Sequence, residues 1–139
     1  MGRTYLFECA RCGYRAEVAG EAERGFHLAV QTIQCLACRE LIDAVTELKV
    51  PATSAANLAR WKLEPSQLDA VTAPSTPPTF PAALNRLVLA GERRFCWVRF
   101  KAACPVSPFH RVREWQQPGR CPRCGVFLEG TAIPFKLWD

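Results

Sequence analysis

Apolar and polar side chains alternate with a period of two in several short stretches of this chain, the pattern of half-buried strands. Tyr5-Leu6-Phe7-Glu8 and Arg15-Ala16-Glu17-Val18 read as strands on either side of Cys9-Ala10-Arg11-Cys12-Gly13, which makes a strand, knuckle, strand hairpin. Gly13 suits the knuckle because the tight turn needs positive φ there and aims backbone N–H groups at sulfur. The polar, glycine-flanked Gly20 to Gly25 reads as a loop. Phe26, Leu28 and Val30 then alternate with His27, Ala29 and Gln31, a third strand that runs into Cys35-Leu36-Ala37-Cys38. Residues 39–49 fit two templates: Leu41, Ile42, Val45 and Leu48 make a helical face, whereas Ala44-Val45-Thr46 suits a strand.

The middle of the chain breaks the pattern. Pro51, Pro65, Pro74, Pro77, Pro78 and Pro81, set among Ala, Ser and Thr, mark a connector over residues 51–90. Two short helices are expected in it. One is capped by Ser54 and carries Leu58, Trp61 and Leu63; the other runs from Thr79 to Gly91 with Leu84, Leu87 and Val88 as its apolar stripe. Alternation returns at Arg93 to Ala103, with Phe95, Trp97 and Arg99 on one face and Cys96, Val98 and Phe100 on the other. Ile133 to Asp139 reads as a final packed strand.

Cysteine changes the picture most. With 139 residues the chain holds one ordinary domain or two small ones, and a module much below about 70 residues needs a metal or disulfides to supplement its core. Eight cysteines include three C-x-x-C pairs. The first 20 residues lack the apolar core of a signal peptide, and no apolar run approaches the length of a bilayer span, so a soluble, cytoplasmic protein is expected. In a reducing compartment such pairs point to thiolate metal sites. The expectation is a small, metal-bound, mainly β protein: an N-terminal zinc ribbon over residues 1–50, the partly helical connector, and a basic C-terminal zinc ribbon over 91–139.

Spacing assigns the ligands. Cys9, Cys12, Cys35 and Cys38, two pairs 22 residues apart, make a tetrahedral four-thiolate site, with His27 left as an ordinary strand residue. Cys121 and Cys124 need two partners from Cys96, Cys104 and His110. An extended strand would put Cys96 about 26 Å from Cys104, too far for one ion. The set Cys104, His110, Cys121 and Cys124 is therefore expected, with Cys96 in place of His110 as the alternative. Two Zn2+ ions per chain follow.

Phe7-Glu8-Cys9-Ala10-Arg11-Cys12-Gly13-Tyr14 resembles the first knuckle of rubredoxins, which implies iron and electron transfer as an alternative. Cys35-Leu36-Ala37-Cys38-Arg39 lacks the Pro and Gly of that family's second knuckle. Near the other end, His110, ten residues that include Pro118-Gly119, and then Cys121-Pro122-Arg123-Cys124-Gly125-Val126-Phe127-Leu128 are similar to the small heavy-metal-binding domain of copper-exporting ATPases and efflux adaptors. That resemblance implies metal sensing or carriage. Two departures count against it: the segment from Cys104 to His110 is three residues too long, and Val126 stands where the family has a soft methionine.

The net charge of +5 is uneven. Residues 1–50 carry six basic against seven acidic side chains, 51–90 three against two, and 91–139 nine against four, so the basic character belongs to the C-terminal third. Arg93, Arg94, Arg99, Lys101, Arg111, Arg113, Arg120 and Arg123 are the candidate contacts to nucleic acid or to an acidic partner surface. No Ser/His/acid arrangement, phosphate-cradling Gly-rich loop or H-E-x-x-H motif is present, and both metal sites can be closed by protein ligands. The expectation is a non-enzymatic adaptor that binds a larger protein complex, nucleic acid, or both, with a metal carrier or a rubredoxin-like electron carrier as alternatives.

Overall fold

The computed structural model describes residues 1–51, 79–85 and 95–138. Within them the chain is mainly β. The elements are β1 (Gly2–Glu8), β2 (Arg15–Val18), β3 (Ala22–Arg24), β4 (Leu28–Cys35), β5 (Glu40–Pro51), α1 (Phe80–Asn85), β6 (Phe95–Arg99), β7 (Val112–Glu114), β8 (Glu129–Gly130) and β9 (Lys136–Trp138). Among the described residues no helix is long and apolar enough to cross a membrane.

Both sheets draw on both ends of the chain. In the first, β1 has β2 on one side and β8 and β9 on the other, every pair antiparallel. In the second the order is β3-β4-β5-β6, with β7 also on β4, again all antiparallel. The expected division into one ribbon before the connector and one after it is therefore replaced by interleaving: β7, β8 and β9 lie against β4 and β1. A strand completes its ladder with whatever complementary edge the fold presents, and here the edges come from opposite ends.

The two apolar clusters are mixed in the same way. Leu28, Val30, Val45 and Leu48 of the second sheet pack with Val98, Phe100, Ala83 of α1 and Trp138 of β9, whose indole meets Phe80 edge-on at 5.0 Å. Phe7, Tyr14, Ala16, Val18 and Leu41 pack with Trp115 and Leu128, and Phe7 meets Trp115 edge-on at 5.2 Å. Burying side chains of this size contributes about 2 kcal/mol each. The cores thus join the two ends of the chain.

Two local expectations are corrected. Glu21-Ala22-Glu23-Arg24 is not a plain loop; it includes the short edge strand β3 on β4. Residues 40–51 form a strand, and the helical look of Leu41, Val45 and Leu48 comes from a bulge. The register with β4 slips between Ala29/Val30, so Leu28 faces Leu48 while Val30 faces Val45. The extra residue, Thr46, turns its carbonyl to the N–H of Phe100 at 2.8 Å. A bulge changes which parity points inward, so the buried set 41, 45, 48 takes on a helical spacing. The expected helix around Ser54, Leu58, Trp61 and Leu63, the positions Leu87, Val88 and Gly91 of the second helix, and Arg93 and Arg94 lie outside the described residues.

Candidate metal centres

Three C-x-x-C knuckles share one backbone. In each, the carbonyl of the first cysteine accepts the N–H four residues on: Gly13 to Cys9 at 3.0 Å, Arg39 to Cys35 at 2.9 Å, Gly125 to Cys121 at 3.0 Å. The residue after the second cysteine is left-handed in all three, at φ 77° for Gly13, 55° for Arg39 and 83° for Gly125. Glycine takes that conformation freely, whereas arginine is strained there. Arg39 has a compensating role. Its guanidinium donates to the carbonyl of Arg123 in another knuckle, and Arg123 reaches back to the carbonyl of Arg39 at 3.5 Å.

The eight expected ligands all converge, but in different sets. Cys9, Cys12, Cys121 and Cys124 form one group, and Cys35, Cys38, Cys104 and His110 the other, with the ligand atoms of each group within 4.8 Å of one another. The expected pairings of Cys9 and Cys12 with Cys35 and Cys38, and of Cys104 and His110 with Cys121 and Cys124, are therefore both exchanged. The exchange follows from the ladders. β8 sets Glu129 opposite Glu8, beside Cys9, and β7 sets Val112 opposite Cys35, two residues past His110. His27 belongs to neither group; Cys96 is placed only by its backbone, in β6 opposite Val50.

The spacing suits a metal ion. A tetrahedral ion with bonds of about 2.3 Å to sulfur and 2.0–2.1 Å to nitrogen sets sulfurs about 3.8 Å apart and sulfur to nitrogen about 3.6 Å. In the second group Cys38 lies 3.7 Å from Cys104, and His110 Nδ1 lies 3.5 Å from Cys38 and 3.6 Å from Cys35. In the first group Cys12 and Cys121 are 3.6 Å apart and Cys9 and Cys124 3.3 Å. Cys9, Cys12, Cys35, Cys38, Cys104, Cys121 and Cys124 are free thiols.

Backbone N–H groups point at the sulfurs: Cys12 at Cys9 (3.5 Å), Cys38 at Cys35 (3.3 Å) and Arg123 at Cys121 (3.4 Å). The Cys12 N–H is the main reason that the Cys9 thiol is lowered to about 6. Cys38 moves the other way, to about 12, because its hydrogen bond with Cys35, burial and Cys104 all disfavour a second thiolate. Each group readily holds a first negative charge and resists the next. A divalent cation relieves that conflict.

The first group merges into the core, since Cys9 and Cys121 are buried against Phe7, Tyr14 and Trp115. Tyr14 bridges to the neighbouring knuckle: its hydroxyl accepts the Leu41 N–H at 2.8 Å, and Arg123 stacks on its ring at 4.7 Å. Neither Tyr14 nor the Arg39–Arg123 bridge was singled out by the spacing of ligands. An arginine standing where the other two knuckles have glycine was the available signal for the bridge.

The basic candidates are dispersed. Arg99 pairs with Glu47 at 3.6 Å, Arg113 donates to Gln34 at 3.1 Å, Arg120 lies over Phe127 at 5.3 Å, and Arg123 pairs with Glu40 at 3.5 Å. Lys101 and Arg111 are exposed. No protein-family model matches the chain, and neither a curated protein nor a solved structure does.

Proposed function

We propose that this is a non-enzymatic zinc protein whose two ions clamp the ends of the chain into one rigid β scaffold, and that the scaffold serves as an adaptor for a larger protein assembly. The observation that carries this reading is the completeness of both ligand sets. Four protein ligands per ion leave no coordination position for a water or substrate, which is the arrangement of structural zinc rather than catalytic zinc. Three thiolates with one imidazole is a zinc set by ligand type, and four thiolates suit zinc equally.

One observation favours a second reading for the first centre. It joins Cys9-Ala10-Arg11-Cys12-Gly13 to Cys121-Pro122-Arg123-Cys124-Gly125, so the proline and second glycine that were missing from the N-terminal pairing are supplied by the C-terminal one. Four thiolates from two such knuckles also accept iron. Elemental analysis of protein purified from its own host separates the readings. Two zinc ions in a colourless protein, retained against a mild chelator and required for folding, support the structural reading. One iron with visible thiolate absorption favours the electron-carrier reading, and ready loss of the second ion to a mild chelator favours a metal carrier.

A further inference from the structure

The second metal centre carries an apolar tip. Its knuckle and the loop from Cys104 to His110 expose Leu36 (46%), Val106 (73%) and Phe109 (92%), all within two residues of the candidate ligands Cys35, Cys38, Cys104 and His110. The tip is held in shape from below. The Leu36 N–H donates to the carbonyl of Arg111 at 2.9 Å, joining the knuckle to the end of the loop, and Ser107 accepts the N–H groups of Phe109 on its hydroxyl (3.3 Å) and His110 on its carbonyl (3.2 Å). Apolar side chains on a pre-ordered loop bind at little conformational cost.

Charge selects the partner. Cys35 to Arg39 and Cys104 to Arg113 hold Arg39, Arg111 and Arg113 and no carboxylate; the nearest acids in sequence are Glu40, which pairs toward the other centre with Arg123, and Glu114. Nucleic acid fits less well. Two of the three exposed groups are aliphatic and cannot stack on bases. Two of the candidate cations of the C-terminal third, Arg99 and Arg123, are already paired with the carboxylates of Glu47 and Glu40.

We propose that this tip is a docking site for a protein partner, which it grips through an acidic segment bearing large apolar side chains. The inference rests on the adaptor reading and names its contact surface. The apolar side chains of the segment cover Phe109 and Val106, and its carboxylates meet Arg111.

The test uses the full zinc-loaded chain as bait for a library of random 12-residue peptides. Peptides rich in Asp or Glu together with Leu, Phe or Trp are expected to be enriched. Resynthesised with a fluorescent label and titrated by anisotropy, they should bind the Val106→Ser/Phe109→Ser variant at least tenfold more weakly. They should bind Ile133→Ser/Phe135→Ser, which alters another exposed apolar pair, as they bind the parent. Metal content and melting of each sample show whether the fold is intact, so failure of the tip is distinguished from failure of the structural-zinc reading. Enrichment of nothing or of basic peptides, or equal binding by the tip variant, overturns the proposal. So does a labelled 20-nucleotide single strand that binds through Phe109 and displaces the peptides.

Discussion

Replacing one cysteine in each of two knuckles shows by counting which knuckles share an ion. Each single substitution, Cys9→Ser or Cys121→Ser, leaves a set of three ligands and should release one of two zinc ions. With the ligand sets observed, Cys9→Ser/Cys121→Ser damages a single centre and retains one ion, whereas Cys9→Ser/Cys35→Ser damages both and retains none. Pairing by sequence proximity reverses both outcomes. The remaining centre must stay bound for the count to work, and chain entropy says how far it is weakened. Cys12 and Cys121 are 109 residues apart. Once the second centre is closed, the route between them shortens to the 23 residues from Cys12 to Cys35 and the 17 from Cys104 to Cys121, about 40 in all. The coupling is roughly 0.9 kcal/mol, or about fivefold in affinity. Structural zinc binds with about 10–16 kcal/mol, so a fivefold loss does not empty the site.

The measurement is zinc per chain after dialysis against a mild chelator, with the affinity of the retained ion taken from competition with a stronger one. The expected result is one ion for Cys9→Ser/Cys121→Ser, held about fivefold more weakly than in the parent, and none for Cys9→Ser/Cys35→Ser. Retention of one ion by Cys9→Ser/Cys35→Ser with loss of both by Cys9→Ser/Cys121→Ser refutes the interleaved arrangement.

Further perturbations probe the scaffold. Gly125→Ala meets nothing within 4 Å and is penalised only by its left-handed φ, so it should lose about 1 kcal/mol in urea unfolding of the loaded protein; Arg39→Gly, which relieves the same strain while losing the bond to Arg123, should be nearly neutral, and Arg39→Ala worse than Arg39→Gly. Burial raises the Asp43 carboxyl from 3.8 to about 6, so the folded chain takes up its proton more readily than the unfolded chain, and the cost of the buried charge, full above pH 6, is relieved as pH falls toward 4. Thr32→Val removes the hydroxyl that donates to Asp43 at 2.7 Å and accepts the Gly20 N–H at 2.9 Å, and should cost about 2–3 kcal/mol at pH 7 but less at pH 5, measured as the difference from the parent at each pH. Phe7→Ala empties the space between Trp115 and the first centre and should cost about 3–5 kcal/mol, read from the thermal midpoint with zinc in excess.

The sequence was most legible where a single local cause sets the structure. The hairpin around Cys9 to Gly13 follows from alternation on both sides and one glycine, and β1 pairs with β2 as that reading requires, Glu8 opposite Arg15. The alternation at Val98 and Phe100 likewise marks an inward face, since both are buried while Arg99 is exposed. Where two causes act together, the pattern misleads. β5 changes parity at Thr46, so its buried side chains mimic a helix, and only its partners β4 and β6 explain why the strand bulges there. β3 lay hidden because an edge strand with the burial of Ala22 to Arg24 has no apolar face to show. Eight candidate ligand positions were legible because thiolate and imidazole chemistry is local. Their partition was not.

Proximity is itself a physical argument, and its size explains why it fails. Closing the 23 residues from Cys12 to Cys35 is easier than closing the 109 from Cys12 to Cys121 by roughly 1.4 kcal/mol. That is less than one fully buried large side chain contributes, about 1.5–3 kcal/mol. The interleaved fold buries several that only it brings together: Trp115 against Phe7, Leu128 in the cluster of Phe7 and Tyr14, and Trp138 in the cluster of Leu28 and Leu48. Three near-identical knuckles are interchangeable as ligands, so the ion has no preference of its own among them. The partition is set by the packing around Phe7 and by the ladders from β1 to β8 and from β4 to β7, and ions bound at the two groups would fasten ends that the sheets already bring together.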